Sequence, residues 1–310
     1  MAGGIAAMGT TFNLPNFVGE LFSVSPKETP FLSAIGGLTG GKSTDAIEFP
    51  FQKYDLRNPA QPAHLEGAAA PSADSRVRDQ VYNVVQIFHE KVSASYTKQA
   101  AVGNLSGINI SGSNPVQDEL TFQTMVALQS IARDVEYTFL NGVYARPTDN
   151  ATARKTRGIL AAISTNVVAA GATALTKTHV KTLLRTMWTN GAPLIDPIFM
   201  CNGFQKEAIT ALYGVEPQSR VIGGLNIEQI VTDYGTFGIM LNRWMPTTAV
   251  AVIDLAVCSP VILFIPGKGF LFREALGKAG SSDDFQIYGE IGLEHGPEIF
   301  HGKVTGLTDN

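Results

Sequence analysis

Between positions 114 and 142 the chain keeps a helical period. Leu120, Thr124, Leu128, Ile131, Val135 and Phe139 share one face, and Phe122, Met125, Ala132 and Leu140 widen it. Asn114 suits the cap, Pro115 the first turn, Asp118 and Glu119 the positive end, and Gly142 the stop. A helix over 115–142 is therefore predicted, about 27 residues or roughly 40 Å long. Gln117, Gln123, Gln129, Arg133, Asp134 and Glu136 exclude a membrane span within it.

Upstream the period changes twice. Leu14, Phe17, Val18, Leu21 and Phe22 follow i, i+3, i+4, i+7, i+8 after Pro15, which predicts a short amphipathic helix. Phe31, Leu32 and Ile35 are apolar anchors on a segment too short for a core of its own. From 41 to 100 the pattern alternates: Ile47, Phe49 and Phe51 share one strand face, and Tyr82, Val84, Phe88, Val92, Ala94 and Tyr96 another. The two strands are expected to pair as a long hairpin. Between them, Lys53 to Gln80 holds Pro59, Pro62, Gly67, Pro71 and three consecutive alanines, a connection whose length points to a functional or partner-bound loop.

Downstream, Arg154, Lys155 and Arg157 precede Ile159, Leu160 and Ile163, and read equally as a solvated helix start or as an inward-facing or inter-subunit contact. Thr176 caps a predicted helix with Val180, Leu183, Leu184, Met187 and Trp188 on one side, ended by Gly191. DPIFMCNG reads as a buried strand and FQKEAITALYG as the helix after it, a small α/β unit. From Asn226 strand signals dominate, interrupted by glycines at 235, 238, 289, 292, 296 and 302 that are expected to mark bends or bulges.

Composition narrows the function. Charged residues make up 16% against apolar residues at 45%, so part of the surface is expected to lie under other subunits. A net charge of -4 opposes a protein built to grip nucleic-acid phosphates. Over 41–100, seven basic residues balance seven acidic ones, which suits a protein interface. Cys201 and Cys258 stand in apolar surroundings and read as free buried thiols of a reducing cytoplasm. No leader or apolar run long enough to span a membrane is read from the chain.

Candidate chemistry is thin. Gly36 to Ser43, GGLTGGKS, matches the phosphate-loop pattern, and AVAVID ending at Asp254 resembles its magnesium-holding strand. A phosphate loop must open a helix, whereas Ile47, Phe49 and Phe51 alternate as a strand and Pro50 would break a helix. A Gly-rich hinge is the preferred reading. His64, His89, His179, His295 and His301 carry no metal spacing, and Glu290 and Glu294 share a strand face without a partner acid or base. No catalytic residue, metal or cofactor is expected, and the chain does not read as an enzyme.

SPKETPFLSAIG, QDELTFQTMVALQSIARDVEYTFLNG followed by ATARKTRGILAAIST, and IYGEIGLEHGPEIFHGKVTGL resemble, in matching order, segments of tailed-bacteriophage major capsid proteins. The resemblance implies an α+β fold with an N-arm (1–40), an extended β-hairpin or E-loop (41–100), a P-domain with its spine helix (101–166), mainly A-domain over 167–247, and return strands of both domains over 248–310. It implies subunits forming hexamers and pentamers in an icosahedral head around double-stranded DNA, assembled in the cytoplasm of a bacterial host. Implied partners are further copies of the chain, a scaffolding protein supplied separately or none, a portal, a decoration protein, and DNA through weak non-specific contact; no membrane is involved. The implied inter-subunit residues are Phe17, Leu21 and Phe22 on the arm, Arg57, Glu66, Arg76 and Arg78 at the hairpin tip, and Arg154 and Arg157 after the spine. An encapsulin-like shell packaging protein cargo and, less favoured, a phosphate-loop nucleotide-binding enzyme are the alternatives.

Overall fold

The structure, a computed structural model, describes residues 26–100, 118–213, 216–222, 225–278 and 280–309, with backbone alone over 216–222 and 225–227. The helix expected at 14–22, with Phe17, Leu21 and Phe22, lies outside these residues, as do Asn114 and Pro115. The chain divides into two compact units. The larger comprises Glu28–Phe88, Ile131–Phe272 and Tyr288–Asn310; the smaller comprises the described parts of Met1–Lys27, His89–Ser130 and Arg273–Ile287.

In chain order the elements begin with helix α1 (Pro30–Ile35), strands β1 (Lys42–Thr44), β2 (Glu48–Tyr54), β3 (Arg78–Val84) and β4 (Gln86–Ser95), and helices α2 (Tyr96–Ala100), α3 (Glu119–Asn141) and α4 (Ile159–Ala162). Next come β5 (Val167–Thr173), α5 (Lys177–Thr189), β6 (Pro197–Cys201), α6 (Gly203–Tyr213), β7 (Glu216–Ile222), β8 (Leu225–Thr232), β9 (Gly235–Leu241) and β10 (Ala249–Asp254). The chain ends with β11 (Ser259–Leu263), β12 (Leu271–Ala275), β13 (Ser282–Glu294) and β14 (Gly302–Leu307). The mixture of helix and sheet is the α+β class expected.

The core of the larger unit is a seven-stranded mixed sheet in the order β5-β14-β10-β6-β9-β8-β7. β6 and β10 are buried along their whole length. That explains their unbroken apolar runs, since strands covered on both faces have no solvent side to make polar. Helix α5 lays Val180, Leu183, Leu184 and Met187 into this core, capped by Thr176, whose hydroxyl accepts from the His179 N–H. Trp188, expected on the same side, is instead 65% exposed. The stripe is narrower than its i+4 spacing from Leu184 suggested.

A second sheet runs β1-β11-β13-β12, with β4 also paired to β13, and β2 and β3 form a separate two-stranded ribbon. The expected pairing of the two strands holds over β2 and β3, but the second strand does not run on unbroken towards Tyr96, since β4 is a separate strand paired to β13. The ribbon pairs Glu48 with Val84 through to Tyr54 with Arg78, and at Val85 the strand breaks. Phe49 and Phe51 are buried as expected, but Ile47 lies outside the strand and is exposed, and Tyr96 begins α2. The internal glycines also read differently: β13 runs unbroken through Gly289 and Gly292, so neither is a bend. At Gly292 the reason is close approach, because a Cβ there would stand 2.7 Å from the Phe49 ring and 2.8 Å from the Val84 carbonyl.

Helix α3 buries Ala127, Ile131, Val135, Phe139 and Leu140, while Met125 and Leu128, expected on the apolar side, are exposed. Glu136 lies among the buried positions and is itself fully buried. Its carboxylate accepts from the Phe31 N–H (2.9 Å), the Leu32 N–H (2.6 Å) and the Asn242 amide (2.5 Å). Helix α1 has no side-chain cap of its own at Thr29, so Glu136 supplies the acceptor its first turn lacks.

In the smaller unit the Asp284 carboxylate receives the Lys91 ammonium at 2.7 Å and the hydroxyls of Ser93 and Ser282 at 2.7 and 2.9 Å. The lysine and the two hydroxyls hold it well below the usual carboxylate range, at about 2. A depressed native pKa stabilises the fold above the unfolded value near 3.8, and this contribution is lost as pH falls through about 2. Acid titrations followed by circular dichroism should show the stability difference between wild type and Asp284→Asn shrinking from pH 4 to pH 2. A constant difference across that window would contradict it.

Candidate functional site

The phosphate-loop reading does not survive the geometry. Gly36 and Gly37 take positive φ at the end of α1, and Lys42 opens a strand, β1, that pairs in parallel with β11. No helix N-terminus follows to face a phosphate. The Lys42 ammonium binds Glu294 at 2.7 Å. Asp254 is committed as well: one oxygen accepts from the Ile195 N–H, the other from the N–H groups of Asp196 and Ala256. It clamps two turns rather than a metal.

The terminal histidines are structural. His301 accepts from the Asp254 N–H on Nδ1 at 3.2 Å, so its Nε2 carries the proton donated to the His295 carbonyl at 2.6 Å. His295 packs edge-on against Phe51 with ring centroids 5.0 Å apart, and burial holds it down at about 4, neutral near pH 7. Among the described residues, no group of three or more His, Cys, Asp and Glu is placed to hold a metal. No helix there is long and apolar enough to cross a membrane. Cys201 and Cys258 are buried free thiols, and burial pushes Cys201 up to about 12 and Cys258 higher still.

What the described residues do offer is exposed surface. Residues 55–77, between β2 and β3, contain no helix or strand and are exposed throughout, with Leu56, Leu65 and Val77 pointing into solvent. Leu65 is 85% exposed. Glu66 forms the tip turn with Gly67, Arg57 reaches the neighbouring Asn58 carbonyl, Arg76 pairs with Asp74 at 2.9 Å, and Arg78 contacts Gln52 across the ribbon. These four predicted residues thus sit on one hairpin, and among the described residues their side-chain partners belong to that same hairpin.

Arg154 and Arg157 are placed elsewhere, at the hairpin's root. The segment carrying them is extended, with Lys155 bridged to Ala145, and α4 starts only at Ile159. The helix-start reading is therefore corrected: Gly158, not the basic run, precedes the first turn. Arg154 turns inward, its Nε donating to the Val85 carbonyl at 2.9 Å and its guanidinium to the Glu290 carboxylate, whose other oxygen receives the Tyr288 hydroxyl at 2.6 Å. Burial beside that carboxylate pushes the Tyr288 hydroxyl up to about 12. Arg157 stacks over the Tyr144 ring, 4.5 Å from its centroid. Next to this root, a groove of about 920 Å³ runs between the 146–155 loop and the exposed side chains of Ile47 and Ile87.

Sequence reasoning passed over two buried polar residues here. Glu136 stands at i+4 from Ala132 and i−4 from Leu140, both read as apolar-face positions, so a carboxylate inside that stripe was the available signal. Asn83 takes the polar slot between Tyr82 and Val84, as alternation allows, and yet is fully buried.

The sequence model of the SU10 major capsid protein family matches residues 4–308. Among solved structures, the cyanophage A-1(L) capsid asymmetric unit has a TM-score of 0.68 at 11% identity, over 93% of this chain and 95% of that one. The capsid of a native GTA particle has a TM-score of 0.62 at 14% identity, over 98% of each chain. The holo-SrpI encapsulin complex of Synechococcus elongatus PCC 7942 has a TM-score of 0.60 at 12% identity, over 98% of this chain and 96% of that one. At such identities these are likenesses of fold. No curated protein sequence matches the chain.

Proposed function

The chain belongs to the SU10 major capsid protein family, and from that premise we propose that its copies associate as hexamers and pentamers into an icosahedral head around double-stranded DNA. Family membership makes it a structural subunit that self-associates into a virion shell. The observation that supports the finer reading is the span 55–77, which is exposed throughout among the described residues and whose opposite charges suit a protein surface. In this reading 1–40 is the arm, 41–100 the E-loop, 101–166 the P-domain with its spine, 167–247 mainly the A-domain, and 248–310 the return strands. Arg57, Glu66, Arg76 and Arg78 lie across a neighbouring subunit, as do Phe17, Leu21 and Phe22 of the arm. Arg154 and Arg157 act from beneath, shaping the root of the contact rather than making it.

Packaged DNA meets a chain of net charge -4, which lets it slide rather than adhere. Scaffolding, portal and decoration proteins complete the assembly in the bacterial cytoplasm. The test is electron microscopy with size-exclusion chromatography of the recombinant chain at several concentrations and salts. Closed shells of uniform diameter, or capsomer rings and tubes, are expected. A chain that stays monomeric or dimeric throughout, even when coexpressed with the other head proteins of its phage, would overturn the reading. Nucleic acid inside particles from infected cells separates a phage head from an encapsulin-like shell, which would hold protein.

A further inference from the structure

Resting on that reading, we propose that Asn83, supported by Gln86 and Arg154, is the positioning residue that fixes the direction in which the β2–β3 hairpin leaves its sheet, and through it the curvature of the shell. Where β3 ends and β4 begins, the ladder stops, and a break of this kind usually leaves peptide groups unpaired. Here both groups of Val85 are captured: its N–H donates to the Ile47 carbonyl at 3.0 Å and its carbonyl accepts from Arg154 at 2.9 Å. Asn83 uses its full bonding capacity. Its Oδ1 accepts from the N–H groups of Val84 (2.9 Å) and Arg157 (2.8 Å), and its Nδ2 donates to the carbonyls of Leu293 (2.7 Å) and Arg157 (3.2 Å).

By donating to and accepting from Arg157, the side-chain amide does what a neighbouring peptide would do in an antiparallel ladder. One step further on, the Gln86 Oε1 accepts from the Thr156 N–H at 3.2 Å, and the Thr156 hydroxyl accepts from the Leu293 N–H at 3.3 Å. The 154–157 segment is thus stitched between the hairpin root and β13 by side chains of fixed length. Phe49 resting on Gly292 closes the same junction from the ribbon side. Among the described residues nothing comparable restrains 55–77, so the hairpin has a stiff root and a compliant tip.

Leverage makes the root matter for assembly. A seven-residue strand spans roughly 23 Å, so a swing of about 10° at its base carries the far end roughly 4 Å, close to one strand spacing. An error of that size moves the tip off its intended neighbour contact.

The full-length chain carrying Asn83→Ala should remain folded by circular dichroism and melting. Hydrogen exchange should quicken over 47–54 and 78–86 but not in α5 or β6, and electron microscopy should show the fraction of closed shells of wild-type diameter falling about tenfold. Asn83→Asp, which keeps the acceptor but loses both donated bonds, should behave alike. A folded Asn83→Ala chain that forms uniform shells of wild-type diameter would overturn the proposal. If Asn83→Ala does not fold, Gln86→Ala removes one stitch at the same junction and should still broaden the diameter distribution; uniform shells from it would overturn the proposal too. A wild-type chain that stays monomeric or dimeric, forming neither shells nor capsomer rings or tubes even when coexpressed with the other head proteins, would instead overturn the assembly reading, and this inference with it.

Discussion

A chain in which residues 55–77 give way to a two-residue Asn-Gly turn joining β2 to β3 should melt within a few degrees of wild type and form no closed shells. The two halves of this expectation come from the same fact. Every residue of 55–77 is exposed, so its removal deletes no core contact and shortens a loop whose closure entropy changes only slowly with length. Asn-Gly suits the tight turn that an antiparallel ribbon needs. What disappears is the surface offered to another subunit, including Leu65 and the charges of Arg57, Glu66 and Arg76. Sedimentation velocity beside electron microscopy reads both halves. Intact shells from the shortened chain would remove the hairpin from the interface, whereas loss of the fold would show that the loop stabilises its own subunit.

The largest loss of subunit stability is expected from Glu136→Ala. The substitution strands the N–H groups of Phe31 and Leu32 and the amide of Asn242 in a buried site, and each unsatisfied donor costs about 1–3 kcal/mol. Relief of the buried charge offsets part of this, for burial raises the Glu136 carboxyl above its ordinary value despite the three donors. A net loss of about 3 kcal/mol follows, read as a lowered urea midpoint. Glu136→Gln keeps one acceptor and carries no charge, so its loss should be nearer about 1 kcal/mol. Equal midpoints for the alanine variant and wild type would mean that α1 holds its place without this cap.

How much of this could be read from the chain varied with how side chains report their surroundings. Helix α5 was legible from its capped 3.6-residue period, and strand β6 from an apolar run of strand length bounded by Pro197 and Gly203. Strand β5, VVAAGAT, was not, since small side chains carry no periodic signal and its partner β14 lies far along the sequence. The GGLTGGKS match failed because its letters describe a loop, while the chemistry depends on the element that follows, here β1. For the candidate site, the loop 55–77 announced itself through length, proline and scarcity of large apolar residues. Arg154 did not: a basic run looks the same whether it is solvated or turned inward to Glu290, and only the distant pairing decides. Asn83 was invisible for a related reason, because the residues completing its hydrogen bonds come from 157 and 293.

Both cysteines are sealed in the core as protonated thiols, and this gives the wild-type chain a practical transparency. A maleimide, which reacts with thiolates that solvent can reach, finds almost no target on the folded subunit. Any single cysteine introduced on the surface would therefore report alone, against a silent background. Labelling assembled particles from outside with a reagent too large to pass the shell then sorts positions such as Leu65, Trp188 and Val231 into outer, inner and interface faces, one substitution at a time. The same silence means that native thiols do not bridge subunits, so shells of this protein should withstand reducing agents unchanged.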